Sequence, residues 1–261
     1  MTPRRRREWF DDDTMWRDLY PFMFRDWRFA GAVEEVEKLL ALTKPKGKSV
    51  LDLCCGPGRI SIPLAKRRYV VTGVDRTKYF LDRARAKARA AKVRIEWVRQ
   101  DMRDFVRPEA YDLAISMYSS FGYFDDKRED LKVLDNILTS LRPGGACVIQ
   151  VGGKEWLAKI FAPTTCQTLP DGSMLVARHA IFDDWTRIRN EWIFIRPGRA
   201  KTFTFHHTIY SGQELRERME QAGFVGVKLF GNLDGAEYGP GAQWLIAVGR
   251  RPGATGRRRT R

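Results

Sequence analysis

The chain has 261 residues, which is enough for one large domain or two small ones with a substantial buried core. Its formal net charge of +15 raises the question of nucleic-acid binding. Most of that charge comes from arginines near the two ends, so we expect residues 1–8 and 251–261 to be basic, disordered tails. The body of the protein is only mildly basic. Composition therefore leaves nucleic-acid binding open without favouring it.

Membrane-crossing and targeting patterns are missing from the sequence. No apolar run approaches the length that crosses a membrane, and the arginine-rich beginning has no apolar signal-peptide core. The four cysteines show no paired spacing typical of a metal site, and the adjacent Cys54 and Cys55 are poorly placed to form a disulfide. We therefore expect a cytoplasmic protein that has no membrane span and binds no metal.

Aromatic residues are concentrated near the beginning of the chain, where residues 9–29 hold eight of them among charged side chains. Leaving so many rings in water would forgo much of their burial free energy. Apolar residues at helical spacing follow, up to Leu42, and Lys44-Pro45 ends the pattern. We expect residues 9–44 to form a helical lid. Whether this lid covers the mouth of the main domain or only an edge of its core stays open at this point.

Short apolar runs alternate with helical patterns after the lid. Strands are predicted at 50–53, 70–74, 95–98, 111–117 and 146–151, and helices at 59–68, 78–91 and 128–141. Alternating strands and helices imply right-handed crossovers and a parallel sheet covered on both faces. The sequence thus indicates an α/β domain over residues 45–250.

The pattern changes after Gly153, where period-two alternation indicates strands at 174–182, 187–195 and 201–210. We interpret residues 154–210 as an antiparallel β insertion in the α/β domain. A helix at 212–222 and two strands at 224–229 and 244–249 then complete the main sheet.

A glycine-containing loop follows the first predicted strand, within the stretch 49–59, Ser-Val-Leu-Asp-Leu-Cys-Cys-Gly-Pro-Gly-Arg. Glycine lets a ligand approach the backbone closely, and the next helix offers unpaired N–H groups at its amino terminus. In open α/β sheets, ligands bind beyond the carboxyl ends of the strands. Polar residues occupy those ends at Asp75, Asp101 and Ser116. The pattern predicts a nucleotide site, and it fits both a dinucleotide dehydrogenase and a methyltransferase.

Three details separate these two classes. The dinucleotide spacing requires glycine at 54, 56 and 59, but the chain has Cys54 and Arg59 at two of these positions. Asp52 would repel a pyrophosphate, whereas it suits a ligand with ammonium and sulfonium charges. The tripeptide 100–102, Gln-Asp-Met, can place a carboxylate at an adenine amino group and an apolar side chain on its ring. Walker-type phosphate binding is excluded, because no Gly-Lys-Ser/Thr follows the loop.

These residues resemble the class I S-adenosylmethionine-dependent methyltransferases. Five segments carry the resemblance, in the family's order: Val-Leu-Asp-Leu-Cys-Cys-Gly-Pro-Gly (50–58), Val-Thr-Gly-Val-Asp (71–75), Gln-Asp-Met (100–102), Tyr-Asp-Leu-Ala-Ile-Ser (111–116) and Leu-Arg-Pro-Gly-Gly (141–145). The resemblance implies a Rossmann-like, seven-stranded sheet flanked by helices, mostly parallel with its last strand antiparallel. It also implies S-adenosylmethionine as cofactor, S-adenosylhomocysteine as product, and no metal.

The resemblance assigns cofactor-binding roles by position. Gly56 and Gly58 would line the methionine portion, with Cys54 where many members have the first glycine. Asp52 would orient this loop or the amino group. Asp75 would hold the ribose, Asp101 would accept from the adenine amine, and Arg76 and Met102 would flank the adenine ring. The complete set is Asp52, Cys54, Gly56, Gly58, Asp75, Arg76, Asp101, Met102 and Ser116.

The acceptor is expected to be a small molecule with an N or O nucleophile. Residues 119–124, Ser-Ser-Phe-Gly-Tyr-Phe, lack the Asn/Asp-Pro-Pro-Tyr/Phe signature of nucleic-acid N-methylases, which argues against a flipped base. Because an amine or hydroxyl loses a proton on methylation, the candidate catalytic residues are His206, His207 and Tyr210. The candidate substrate contacts are Trp16, Tyr20, Tyr118, Phe121, Tyr123 and Tyr238.

Two alternatives stay open at this stage. The basic tails are compatible with an RNA methyltransferase, and the aromatic lid is compatible with a non-catalytic S-adenosylmethionine-binding protein whose acceptor pocket is blocked. The oligomeric state is also open between a monomer and a homodimer.

Overall fold

The computed structural model describes residues 8–169 and 171–253. Nearly all of both expected basic tails therefore lies outside the described residues. Within the described ranges, no helix is both long and apolar enough to cross a membrane. The same ranges contain no group of three or more His, Cys, Asp or Glu residues arranged to hold a metal ion.

The N-terminal lid is helical. A 3₁₀ turn at Trp9–Asp11 is followed by α1 (Asp13–Met23) and α2 (Asp26–Thr43). The Asp12 side chain accepts hydrogen bonds from the first N–H groups of α1, which fixes where that helix begins. Helix α2 is four residues longer at its start than the apolar spacing predicted.

The main sheet has seven strands in the order β10-β11-β5-β4-β1-β2-β3. Strand β11 is antiparallel to both of its neighbours, while β1 to β5 are mutually parallel, so the expected fold class is confirmed. The strands are β1 (Ser49–Leu53), β2 (Val70–Asp75), β3 (Glu96–Arg99), β4 (Tyr111–Ser116), β5 (Leu141–Gly152), β10 (Val225–Phe230) and β11 (Trp244–Arg250). The helices between them are α3 (Ser61–Lys66), α4 (Lys78–Ala90), α5 (Lys127–Ser140) and α7 (Gly212–Gln221).

The insertion contains a second, four-stranded antiparallel sheet in the order β6-β7-β8-β9. Its elements are α6 (Lys154–Ile160), β6 (Thr164–Thr168), β7 (Met174–Phe182), β8 (Arg187–Arg196) and β9 (Arg199–Thr208). The alternation predicted β7, β8 and β9 but not α6 or β6. Strand β6 is exposed along its whole length at the sheet edge, so its sequence shows no buried face.

Two glycines let the glycine loop and β2 pack closely against β3. A Cβ atom at Gly58 would lie 2.8 Å from the Trp97 ring, and one at Gly73 would lie 2.5 Å from the same ring. Gly58 also has φ +81°, a conformation that favours glycine. The close approach explains why Gly58 is needed for packing, whether or not it contacts a ligand.

Candidate functional site

A central cavity lies where β1, β2 and β4 end and where the N-terminal lid crosses the sheet. It encloses about 1020 Å³, part of which is open to solvent. The cavity brings together ten of the residues predicted to bind cofactor or substrate: Asp52, Cys54, Gly56, Asp75, Arg76, Asp101, Met102, Trp16, Tyr118 and Tyr123. These positions converge because the carboxyl ends of neighbouring parallel strands share one edge of the sheet.

Two buried carboxyl groups face this cavity. Asp52, at 3% exposure, accepts a hydrogen bond of 2.5 Å from Ser61 Oγ at the start of α3. Burial raises the pKa of Asp52 to about 7, and the Ser61 hydrogen bond only partly opposes that shift. Burial likewise raises the pKa of Asp75 to about 6, although the hydrogen bonds that it accepts from backbone N–H groups lower the pKa in part. A cationic ligand in the cavity would favour the ionised form of both groups.

The Asp75 carboxylate holds the glycine loop in place. Its two oxygens accept from the Gly56 N–H at 2.9 Å and from the Thr77 N–H at 2.8 Å. In the loop, Cys54 has φ +61° and Gly56 has φ +54°, so the chain turns through left-handed conformations at both positions. The Cys54 side chain packs against Met102, with 3.4 Å between Sγ and Sδ, and both residues line the cavity. A cysteine at the first glycine position of the motif therefore leaves the cavity open.

The third acidic residue, Asp101, is held by Arg103. The guanidinium donates to both carboxylate oxygens, at 3.0 and 2.8 Å, and the Arg103 N–H donates at 2.9 Å. Although burial opposes ionisation, these donors lower the pKa of Asp101 below its usual value. Asp101 is thus a fixed, ionised acceptor on the cavity wall.

Arg76 connects the cavity to the N-terminal lid. Its guanidinium donates to the Phe10 carbonyl oxygen at 2.5 Å and pairs with the Asp11 carboxylate. It also lies 4.9 Å from the centroid of the Phe10 ring. Arg76, which the resemblance places beside an adenine ring, lines the cavity; its hydrogen bonds are made with the lid, and its Nε lies 4.0 Å from Asp101 Oδ2.

The lid forms one wall of the central cavity. Phe10, Trp16 and Phe24 line it, and the Trp16 indole N–H donates to the Phe10 carbonyl oxygen at 2.9 Å. The Phe24 ring approaches the glycine loop so closely that a Cβ atom at Gly56 would lie 3.4 Å from it. Of the two interpretations of residues 9–44, the structure supports the one in which the lid covers the mouth of the domain.

Comparisons with known proteins identify a methyltransferase domain in the chain. The family model described as a methyltransferase domain matches residues 50–145, which include the glycine loop and the three acidic residues of the cavity. Residues 50–145 therefore form a methyltransferase domain, and the chain is similar to the class I S-adenosylmethionine-dependent methyltransferases. The methyltransferase resemblance drawn from the sequence motifs is therefore confirmed.

Individual relatives of this methyltransferase cover most of its length. It is 26% identical over 72% of its chain to YqeM of Bacillus subtilis (strain 168), provisionally named a methyltransferase, and spans 77% of that protein. It is 24% identical over 74% of its chain to the dTDP-3-amino-3,4,6-trideoxy-alpha-D-glucopyranose N,N-dimethyltransferase of Streptomyces venezuelae, of which it spans 75%. The S-adenosylmethionine-bound amino pentose methyltransferase CalS10 of Micromonospora echinaspora shares the fold, with a TM-score of 0.65 at 18% identity, covering 91% of this chain and 96% of CalS10.

Several described residues predicted to bind cofactor or substrate do not line the central cavity of the methyltransferase. Gly58 packs on Trp97, and Ser116 is buried at the end of β4. Tyr20 packs edge-on against Tyr79, outside the cavity. Two further candidates also lie elsewhere. Phe121 lines another cavity, and the Tyr238 hydroxyl donates to Glu155 Oε2 at 2.5 Å.

The three candidate catalytic residues also lie outside the central cavity. His206 Nε2 lies 2.6 Å from Asp125 Oδ1, and the Tyr210 hydroxyl donates to Asp130 Oδ2 at 2.7 Å. These contacts give His206 and Tyr210 structural partners. His207 points to the opposite face of β9 from His206, as the alternation of a strand requires, and lines the second cavity.

Sequence reasoning missed several residues of the central cavity. Arg28 of the lid and Arg59 of the glycine loop both stack over the Tyr118 ring, at 4.4 and 5.6 Å from its centroid. Arg59 also pairs with Glu35 at 2.5 Å, which ties α2 to the loop. Arg59 was noticed in the sequence only because it replaces the third glycine of the dinucleotide motif. Its ion-pair partner, Glu35, lies 24 residues earlier on the lid, so the pairing had no local sequence signal.

Proposed function

We propose that the protein transfers the methyl group of S-adenosylmethionine to a small-molecule acceptor with an N or O nucleophile. The observation that carries this proposal is the pair of buried carboxyl groups, Asp52 and Asp75, in a largely aromatic and aliphatic cavity beside the glycine loop. Buried carboxyl groups with raised pKa values suit a ligand that brings positive charge with it. When bound, S-adenosylmethionine supplies a methyl group on a positively charged sulfur.

The residues of the central cavity fit different parts of this cofactor. Asp52 would face its positive charges, and Asp75 has oxygen lone pairs left for ribose hydroxyls beyond the two N–H groups that it accepts. Asp101 offers a fixed acceptor for the adenine amine, and Met102 a polarisable surface for the ring. Cys54 and Gly56 leave the backbone open to close approach.

The chemistry requires placement more than proton transfer. When the cofactor is bound, the nucleophile's lone pair would form the new bond to the methyl carbon as the carbon–sulfur bond breaks, and the proton of the amine or hydroxyl would pass to solvent after the transfer. The lid and the Tyr118 and Tyr123 side chains would exclude water from the methyl group during the transfer.

Two further observations support a small acceptor and catalysis. The cavity is open beneath the lid, whereas a binding protein without catalysis would have its acceptor space blocked. The Streptomyces venezuelae relative is, by its name, an N,N-dimethyltransferase of a nucleotide-linked amino sugar. We propose a cytoplasmic enzyme, monomeric or homodimeric, that acts on a small molecule; the basic ends of the sequence leave contact with nucleic acid open.

Calorimetric titration with S-adenosylhomocysteine tests the cofactor site. We expect Asp75→Asn to weaken binding by at least about tenfold, or about 1.4 kcal/mol, because it removes a charge-assisted acceptor. Asp130→Asn is the matched control, since Asp130 is also buried with its pKa raised to about 6 but bonds to Tyr210 outside the cavity. Equal affinity in the Asp75 variant and the wild type would refute the site.

A further inference from the structure

A second cavity lies between the antiparallel sheet, α6 and the end of β5. We call it the insertion cavity. It encloses about 860 Å³, part of it open to solvent. Its apolar walls include Phe121, Trp156, Leu157, Phe161, Ile188 and Ile209. No residue of this cavity belongs to the glycine loop, so its ligand is not the methionine or adenine portion of the cofactor.

Three buried polar atoms in these walls have no hydrogen-bond partner among the described residues: Asn190 Nδ2, Thr208 Oγ1 and His207 Nδ1. Asn190 and Thr208 are each only 4% exposed. A buried polar group without a partner costs about 1–3 kcal/mol, so three in one cavity indicate a ligand that bonds to them.

The orientation of Asn190 is set by a neighbour on the adjacent strand. Its Oδ1 lies 2.7 Å from His179 Nδ1, which directly faces Asn190 in the sheet register. With the oxygen accepting from the imidazole N–H, the amide nitrogen is the free group and offers two N–H donors. The insertion cavity thus combines donors on Asn190 with a hydroxyl and an imidazole that can accept.

The insertion cavity contains no Asp, Glu, Lys or Arg among its described lining residues. Two histidines line it: burial lowers the pKa of His207 to about 4, so that its imidazole is neutral near pH 7, and His179 is hydrogen-bonded to Asn190 Oδ1. Transfer of an unpaired charge into such surroundings is strongly unfavourable. A phosphate or a quaternary cation therefore fits poorly, whereas an apolar ring with one hydroxyl or neutral amine fits well.

One loop separates the two cavities. Ser120 and Tyr123 line the central cavity, while Ser119 and Phe121 line the insertion cavity. The Tyr123 ring centroid lies 6.4 Å from that of His207, across this partition. A molecule in the insertion cavity is thus adjacent to the end of β4, where the central cavity also ends.

We propose that the insertion cavity binds the methyl acceptor, and that the acceptor is an uncharged, largely apolar molecule with a hydroxyl or neutral amine, not a nucleotide-linked sugar. This rests on the proposed methyl transfer. It assigns Asn190, Thr208 and His207 as the polar groups that position the acceptor.

Two fluorescent probes of the same scaffold test the ligand class: uncharged N-phenyl-1-naphthylamine and its sulfonated counterpart, 8-anilinonaphthalene-1-sulfonate. We expect the uncharged probe to bind the full chain at least about tenfold more tightly, although the protein is basic. Equal or tighter binding of the sulfonate would overturn the ligand class.

Paired substitutions on β8 test the location. Ile188→Trp fills the insertion cavity, whereas Ile193→Trp places the same side chain on the other face of the strand. We expect the first to weaken probe binding by at least about tenfold and the second by less than about twofold. Thr208→Val, which preserves shape, should weaken binding about threefold to tenfold. Equal affinities in Ile188→Trp and Ile193→Trp would overturn the location.

Saturating S-adenosylhomocysteine separates an acceptor site from a cofactor site. An acceptor must bind together with the cofactor, so probe affinity should stay within about twofold or increase. Displacement of the probe would overturn the acceptor assignment. Failure of S-adenosylhomocysteine to bind the wild type would instead refute the proposed function, and that result is independent of the probe titrations.

Discussion

The buried Asp52 carboxyl predicts that cofactor affinity depends on pH. Its pKa of about 7 means that about one tenth of the free protein has Asp52 ionised at pH 6 and about nine tenths at pH 8. If S-adenosylmethionine binds only the ionised form, its affinity rises about tenfold over this interval, which is about 1.4 kcal/mol. Asp75, with a pKa of about 6, contributes about a further twofold. The wild type should therefore bind about twentyfold more tightly at pH 8 than at pH 6.

The sign follows from which protonation state the ligand prefers. A positively charged ligand stabilises the carboxylate, so binding releases a proton, and affinity rises with pH until both groups are ionised in the free protein. Asp52→Asn removes the larger contribution. In that variant we expect weaker binding at pH 8 and only about a twofold change between pH 6 and pH 8.

Isothermal calorimetry with S-adenosylmethionine measures both the affinity and the proton release, the latter from the dependence of the binding enthalpy on the buffer's ionisation enthalpy. Asp130→Asn is again the control and should keep the wild-type pH profile, because Asp130 lies outside the central cavity. An Asp52→Asn variant that kept the full twentyfold change would refute the assignment of this carboxyl to the cofactor.

Two other predictions concern the loop and the lid. Gly58→Ala should lower the free energy of unfolding by about 2–4 kcal/mol in urea denaturation, because it adds a Cβ atom 2.8 Å from Trp97 at φ +81°. Gly172→Ala, at φ +77° but facing open space, should cost only about 1 kcal/mol; equal losses would contradict the packing argument. Arg76→Ala removes the contacts to Phe10 and Asp11, so limited proteolysis within residues 8–43 should accelerate about tenfold. The control, Lys78→Ala, removes only a surface ion pair with Asp82 and should leave the proteolysis rate unchanged. An unchanged rate in the Arg76→Ala variant would count against the role of Arg76 in holding the lid.

The mostly parallel sheet and the meeting of three acidic residues at one of its edges were predictable because both depend on local pattern. Asp52, Asp75 and Asp101 each end or follow a strand, and parallel strands bring those ends together whatever the details of packing. Local pattern also predicted β7, β8 and β9 of the insertion, because apolar and polar residues alternate along strands that face a core on one side only.

The remaining contacts depend on which distant surfaces meet, and the sequence carries no local signal for that. The hydrogen bonds of Arg76 to Phe10 and Asp11, about 65 positions earlier, were not predicted, and its place beside an adenine ring stays a prediction. Tyr210 and His206 look chemically suitable, yet Asp130 and Asp125, on a different part of the chain, bind them. Asn190 could have been noticed, because it is a polar residue at an inward-facing position of a strand pattern.

The loop between the two cavities separates the part of the enzyme built on the parallel sheet from the part built on the insertion. On one side, Ser120 and Tyr123 face a cavity built on the parallel sheet; on the other, Ser119 and Phe121 face one built largely on the insertion. Substitutions in β7, β8 and β9 can therefore reshape the insertion cavity while the strand ends that hold Asp52 and Asp75 stay unchanged. Such a division would let selection alter acceptor preference in small steps without passing through variants that have lost the methyl donor.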